Sequence, residues 1–262
     1  MLCIQYAVAT HPGRVRPNNE DNFWVGGFYR SDVSKGELTR LGRAKPSRFL
    51  AAVCDGMGGA AAGETASLLT VESLLPHGLY ELPDAAERDI QTANRRICRF
   101  IEEHGGQRSG STVAALYMDS GKAVACNVGD SRVYRFRAGC LTQLSRDHSK
   151  AQRLIDMGFL SPEEARNSTS RYELTQYLGI FEDEMTVEPW FSQPEALLSG
   201  DCFLLCSDGL TDMLWDEEIA HILSSGNVRH QASQLIAEAL RSGGRDNITV
   251  VVLQVNISPN HP

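Results

Sequence analysis

Residues 49–56, Phe49-Leu50-Ala51-Ala52-Val53-Cys54-Asp55-Gly56, form an apolar run that stops at an acid and a turn former. A short apolar run bounded in this way reads as a buried strand. The pattern recurs along the chain. AVACNVG (123–129) runs into Asp130-Ser131, CFLLC (202–206) and Ser207 run into Asp208-Gly209, and Asp246-Asn247 immediately precedes ITVVVLQV (248–255). STVAALYM (111–118) is a further strand candidate. Any one Asp-Gly or Asp-Asn pair is explained as a turn. Together they say more: two carboxylates brought within ~4 Å repel by about 4 kcal/mol at an effective dielectric of about 20, so such a cluster calls for protons or cations.

Helical spacing accompanies these strands. Ile90, Ala93, Ile97 and Ile101 predict an amphipathic helix within 85–103, and Ala232, Leu235, Ile236 and Leu240 predict another within 230–241. Ser161-Pro162-Glu163-Glu164 combines an N-cap, a proline at the first helical position and a third-position glutamate, so a short helix should begin there. Strands and helices do not alternate as a doubly wound parallel sheet requires. A mixed α+β fold with antiparallel sheets is expected, and with no repeat, low-complexity tract or Pro/Ser-rich linker, residues 1–262 are read as one catalytic domain.

Composition narrows the function classes. The chain has 262 residues, 42% of them hydrophobic, enough for a sizeable core. Its formal net charge of −8 lacks the basic footprint of nonspecific nucleic-acid binding. No segment approaches about 18 uninterrupted apolar residues, and the opening MLCIQYAVATHPGRVR has no signal-peptide core, so a cytoplasmic protein without a membrane anchor is expected. The seven cysteines include no CxxC spacing, which suits reduced core thiols better than zinc. Cys202 and Cys206 should share one strand face with Leu204.

Oxygen donors without HExxH or paired Cys and His favour Mg²⁺ or Mn²⁺. Two such ions sharing a carboxylate can lower the pKa of a water between them and aim it at phosphorus, giving phosphate-ester hydrolysis. A nucleotide-binding reading of DGMGGAAAG fails because the GK[ST] ending of a P-loop is missing.

These residues resemble the metal-dependent protein phosphatases of the 2C type, in their compact bacterial form. Arg16 with Asn19-Glu20-Asp21 is similar to the opening motif, and Val53 to Gly59 to the central metal motif, which Gly63-Glu64 and Ala66-Ser67 extend into a helix. Gly110-Ser111-Thr112, Gly129-Asp130-Ser131-Arg132, Cys206 to Asp212 and Arg245-Asp246-Asn247-Ile248-Thr249 follow in the family's order. Asp147-His148-Ser149, Ser161 to Ala165 and Leu178-Gly179 resemble the segment carrying the mobile flap, about 148–190.

The resemblance implies an α-β-β-α sandwich and a monomeric serine/threonine phosphatase, in which a hydroxide bridging two Mn²⁺ or Mg²⁺ ions attacks phosphoserine or phosphothreonine. Asp55 would bridge the ions and Gly56 offer its carbonyl, with Asp208 and Asp246 completing one shell and Glu20 and Asp21 serving the other ion. Asp130 with Asp208 would hold a third, weaker ion. Asn247 would orient the Asp246 loop, and Arg16 would grip the substrate phosphate. Phosphoproteins, with a cognate Ser/Thr kinase among them, are the implied partners. Glu64 reads as a helix-start residue and His148 as a turn residue. A small-molecule phosphomonoesterase and an inactive phosphoprotein-binding module on the same fold are the alternatives.

Three departures stand out. Met57 occupies the place where some relatives carry a histidine, and Gln176 stands where many bacterial relatives have arginine. Residues 26–48 are longer than the connection usual in the family, and they carry Arg30, Lys35, Arg40, Arg43, Lys45 and Arg48 against Asp32 and Glu37. A solvated hairpin loop is the simpler reading of this basic insert, and a docking surface for acidic partners the sharper one.

Overall fold

The computed structural model describes residues 2–32, 37–58 and 62–257; Lys35 of the basic insert and Gly59 of the central motif lie outside the described residues. In chain order the strands and helices begin with β1 (Leu2–His11), β2 (Asn22–Val25), β3 (Phe28–Tyr29), β4 (Leu38–Ala44), β5 (Arg48–Cys54), β6 (Gly56–Met57), α1 (Ala62–Ser73) and α2 (Asp84–Glu103). There follow β7 (Gly110–Ser111), β8 (Val113–Asp119), β9 (Lys122–Val128), β10 (Arg132–Arg137), β11 (Cys140–Gln143), α3 (Lys150–Asp156) and α4 (Pro162–Asn167). The chain ends through β12 (Trp190–Phe191), β13 (Glu195–Ala196), β14 (Cys202–Cys206), α5 (Asp208–Thr211), α6 (Asp216–Leu223), α7 (Val228–Arg241) and β15 (Ile248–Ile257).

Two large antiparallel sheets result, one ordered β11-β10-β14-β15-β1-β4 and the other β12-β9-β8-β5-β2-β3 with β13 also on β9. Strand periodicity explains why they stack. In β5, Phe49, Ala51 and Val53 point to the core between the sheets, while Leu50, Ala52 and Cys54 point outward to α1 and α2. In β14, Phe203 and Leu205 face inward, and Cys202, Leu204 and Cys206 pack against α5, α6 and α7. Both faces of each central strand are therefore apolar, which gives the continuous hydrophobic runs seen in the sequence. The layers are helix, sheet, sheet, helix, as the resemblance implied.

The expected helices form: α2 carries Ile90, Ala93, Ile97 and Ile101 on its buried face, and α4 starts at a Ser161–Glu164 capping box. The run 111–118 is not one strand. Thr112 interrupts it because its N–H donates to the Asp55 carbonyl at 2.8 Å and its Oγ1 accepts from the Asp55 N–H at 3.0 Å, so β7 peels away to pair with β6.

The basic insert is not wholly a loop. Its second half is β4, an edge strand paired with β1 over Leu38–Ala44. Arg30 is buried, Arg40 lies over the Phe28 ring at 3.6 Å, and Arg48 bonds Glu81 and Tyr80. Arg30 is thus withdrawn from the surface, whereas Arg40, Arg43, Lys45 and Arg48 stay exposed. No helix among the described residues is long and apolar enough to cross a membrane.

Candidate metal centre

Sheet register decides where the carboxylates meet. Asn22 pairs with Cys54, so Asp21, just before β2, lies beside Asp55, just after β5. Arg132 pairs with Cys206 and Cys206 with Val250, so the turns holding Asp130, Asp208 and Asp246 open at the same end of the other sheet. The chain reverses at this end of both sheets, and each reversal carries an acid.

The loops are tied to one another. Asn247 accepts the Glu20 N–H at 2.7 Å on Oδ1, and its Nδ2 donates to the carbonyls of Pro12 and Asn18 at 2.9 and 2.8 Å, joining the opening motif to the Asp246 turn. Ser207 Oγ donates to Asp21 Oδ2 at 2.7 Å and accepts the Thr249 N–H at 3.0 Å. Thr112 Oγ1 meets Ser131 Oγ at 2.7 Å, linking the Asp55 loop to the Asp130 loop. Glycine makes the approach possible: a Cβ at Gly56 would collide with the carbonyls of Gly63 and Glu20, and Gly129 turns at φ +98° against Thr112. The bracing roles of Ser207 and Thr112 were not legible in the sequence. A hydroxyl's partner depends on register, which local pattern does not display.

Asp21 is fully buried, whereas Asp55, Asp130 and Asp208 are half-buried. Burial pushes the Asp55 carboxyl well above the usual range, and Asp21, Asp208, Asp130 and Asp246 push it further. Asp208 is raised in the same way by burial and then by Asp130, Asp212, Asp246 and Asp21. Burial lifts Asp21 to about 6, against hydrogen bonds from Thr249 and Ser207, and lifts Asp130 to about 7 with help from Asp147. Asp21 Oδ1 and Asp208 Oδ1 are buried without a hydrogen-bond partner.

Unpartnered carboxylate oxygens within a cluster of negative charge are what hard divalent cations satisfy, so the donor set fits Mg²⁺ or Mn²⁺. Among the described residues no group of three or more His, Cys, Asp or Glu side chains stands preassembled around a metal position. Arg16 lies at the edge of the cluster, its Nη2 donating to Asp246 Oδ2 at 2.6 Å. Glu64, in the first turn of α1, accepts from Asn18 at 2.9 Å.

A groove of about 610 Å³ leads outward from Asp130 and Asp208 between the flap and α5–α6. The flap side is α3, α4 and the turn Thr169–Tyr172. It is docked by two arginines. Arg171 pairs with Asp212 at 3.2 Å, and Arg166 donates to the Leu214 carbonyl at 2.8 Å while lying 3.9 Å over the Trp215 ring. Gln176 does not face the groove; it is buried, and its Oε1 accepts the Glu188 N–H at 3.2 Å. His148 is a turn residue whose N–H donates to the Gly129 carbonyl at 2.9 Å, and burial lowers its pKa.

A helix-sheet-sheet-helix sandwich with an acid-lined cleft at one end is a scaffold for carboxylate-held cations. The family model for protein phosphatase 2C matches residues 39–241, and the chain belongs to that family. It is 37% identical to the serine/threonine protein phosphatase PstP of Mycobacterium tuberculosis over 97% of its own length, though it spans only 45% of that relative. With the serine/threonine phosphatase stp of Listeria monocytogenes the identity is 33%, over 95% of each chain. Among solved structures, the catalytic domain of PstP in complex with two manganese ions superposes with a TM-score of 0.78 at 34% identity, covering 98% of this chain and 100% of that one.

Proposed function

We propose that this chain is a metal-dependent serine/threonine protein phosphatase, hydrolysing phosphoserine and phosphothreonine monoesters of proteins. The observation that carries the reading is the cluster of acids on turns at the common end of both sheets, with unpartnered oxygens on Asp21 and Asp208. Family membership and the manganese-bound neighbour support it.

In this reading Asp55, the Gly56 carbonyl, Asp208 and Asp246, with Glu20 and Asp21, hold two Mn²⁺ or Mg²⁺ ions, and Asp130 with Asp208 holds a third. Bound there, the ions supply Lewis acidity that activates water and offsets the negative charge of the phosphate. Asn247 keeps Glu20 and the Asp246 turn in register through its three hydrogen bonds. Arg16, already at the edge of the cluster, presents a planar fork to the substrate phosphate. The flap and α5–α6 frame the groove for the polypeptide flanking the phosphoresidue.

Residues 1–262 act as one catalytic unit with a flap at about 148–190 and the insert at about 26–48. The seven free thiols support a reducing cytoplasmic setting. A monomer acting on phosphoproteins, a cognate kinase among them, completes the reading. Hydrolysis of phosphoserine, phosphothreonine and phosphotyrosine peptides, with EDTA and with added Mn²⁺, tests it. We expect Mn²⁺-dependent release from the first two. Turnover of p-nitrophenyl phosphate alone would favour a small-molecule phosphatase, and no turnover with retained peptide binding would favour a binding module.

A further inference from the structure

Arg30 comes from the insert that departs from the family pattern, yet it is only 2% exposed. Its Nη2 donates to the carbonyls of Asn19 and Asp21, each at 2.6 Å. Those two carbonyls flank Glu20. The backbone of Arg30 is itself clipped by Asn22, whose Nδ2 donates to the Arg30 carbonyl at 3.0 Å and whose Oδ1 accepts the Arg30 N–H at 3.1 Å. A buried guanidinium is costly unless its donors are used; here Nη2 is used twice while the buried Nε makes no hydrogen bond, so the placement under this loop is a specific structural commitment.

The Glu20–Asp21 segment is thereby held from two sides. Asn247 holds the Glu20 N–H from the Asp246 turn, and Arg30 holds the neighbouring carbonyls from the insert. We infer that Arg30 is a positioning residue for the metal-binding loop, fixing the backbone that presents Glu20 and Asp21 to the cation site. The inference rests on the reading of that loop as part of a divalent-metal centre.

Charge and positioning predict opposite signs. If Arg30 mattered only as a buried positive charge near the acids, neutralising it would make the site more negative and tighten Mn²⁺. If it positions the loop, its loss lets Glu20 and Asp21 wander and weakens Mn²⁺, by roughly tenfold if it behaves as outer-shell supports of metal ligands do. Lysine retains the charge but not the planar fork, so Arg30→Lys should also weaken binding.

The test is Mn²⁺ titration calorimetry on the full chain, comparing wild type with Arg30→Gln and Arg30→Lys, with circular dichroism in EDTA to establish that each is folded. Weaker Mn²⁺ binding by both folded variants, with kcat recovering at saturating Mn²⁺, supports the inference. Equal or tighter binding by folded Arg30→Gln overturns it, even if the variant is less stable. If Arg30→Gln does not fold, Arg30→Lys decides: a threefold or greater weakening supports positioning, and wild-type affinity overturns it. A wild-type chain that binds no Mn²⁺ overturns the metal-centre reading and this inference together, whereas intact wild-type binding with unaltered variants overturns the inference alone.

Discussion

The acidic end of the sheets and the flap face each other across one groove, but they are held by different physics. The acids sit on turns whose flanking strands are buried on both faces, and hydroxyls, Asn247 and Arg30 lock the loops between them. The flap has short helices, an N-cap at Ser149, a capping box at Ser161, and side-chain contacts to α5–α6 through Arg166 and Arg171. One region is cross-linked by hydrogen bonds and electrostatically frustrated; the other is joined to its neighbour by paired arginines. In the proposed reading, catalytic chemistry and metal binding belong to the first, and adjustment to substrate to the second.

The largest expected effect tests the frustrated side. Asp208→Asn should lower kcat on a phosphopeptide by roughly a hundredfold or more, since even outer-shell losses at metal sites cost about 10–100-fold. The same substitution removes a charge from a crowded cluster, so the EDTA-treated variant should melt above EDTA-treated wild type. A variant that lost activity and also lost metal-free stability would mean that Asp208 supports the fold rather than straining it.

Next is the pH dependence of the metal-free protein. Burial raises Asp21 to about 6 and Asp130 to about 7, above their unfolded values. Between an unfolded carboxylate pKa of about 4 and those values the folded chain binds more protons than the unfolded one, so stability falls as pH rises through this window. Chelated protein should melt roughly 5 °C or more higher at pH 5 than at pH 7.5, and Mn²⁺ should restore the loss at pH 7.5. Metal-free stability that instead climbed from pH 5 to 7.5 would show that the acids are not crowded.

The flap contributes the smallest effect. Arg171→Ala removes a partly exposed ion pair with Asp212, and such pairs are worth about 0.2–1 kcal/mol. KM for phosphopeptides should change by no more than about fivefold while kcat stays within about twofold. A collapse of kcat would place Arg171 with the catalytic acids and erase the distinction between the two regions.

Much of this organisation was legible in the chain. The strand-end acids, the α2 periodicity and the Ser161 capping box each depend on neighbours within a few residues, and local spacing displays them. The basic insert was not legible in that way. Counting its arginines predicts a solvated or docking loop and does not say which guanidinium finds buried carbonyls; Arg30 finds those of Asn19 and Asp21. Gln176 was similarly opaque, since its burial depends on how the flap folds onto residues 186–188.

By itself the sequence determined that Asp55, Asp130, Asp208 and Asp246 stand at turns next to buried strands, since hydrophobic runs and turn residues are local. Only the tertiary structure decided that these turns share one end, that Asp21 sits beside Asp55 through the Asn22–Cys54 register, and that Arg30 lies beneath the opening motif. The physical reason is range. Helix and strand signals come from adjacent residues, whereas the crowding of carboxylates is set by pairings across the chain, Cys206 with Val250 and Arg132 with Cys206 among them.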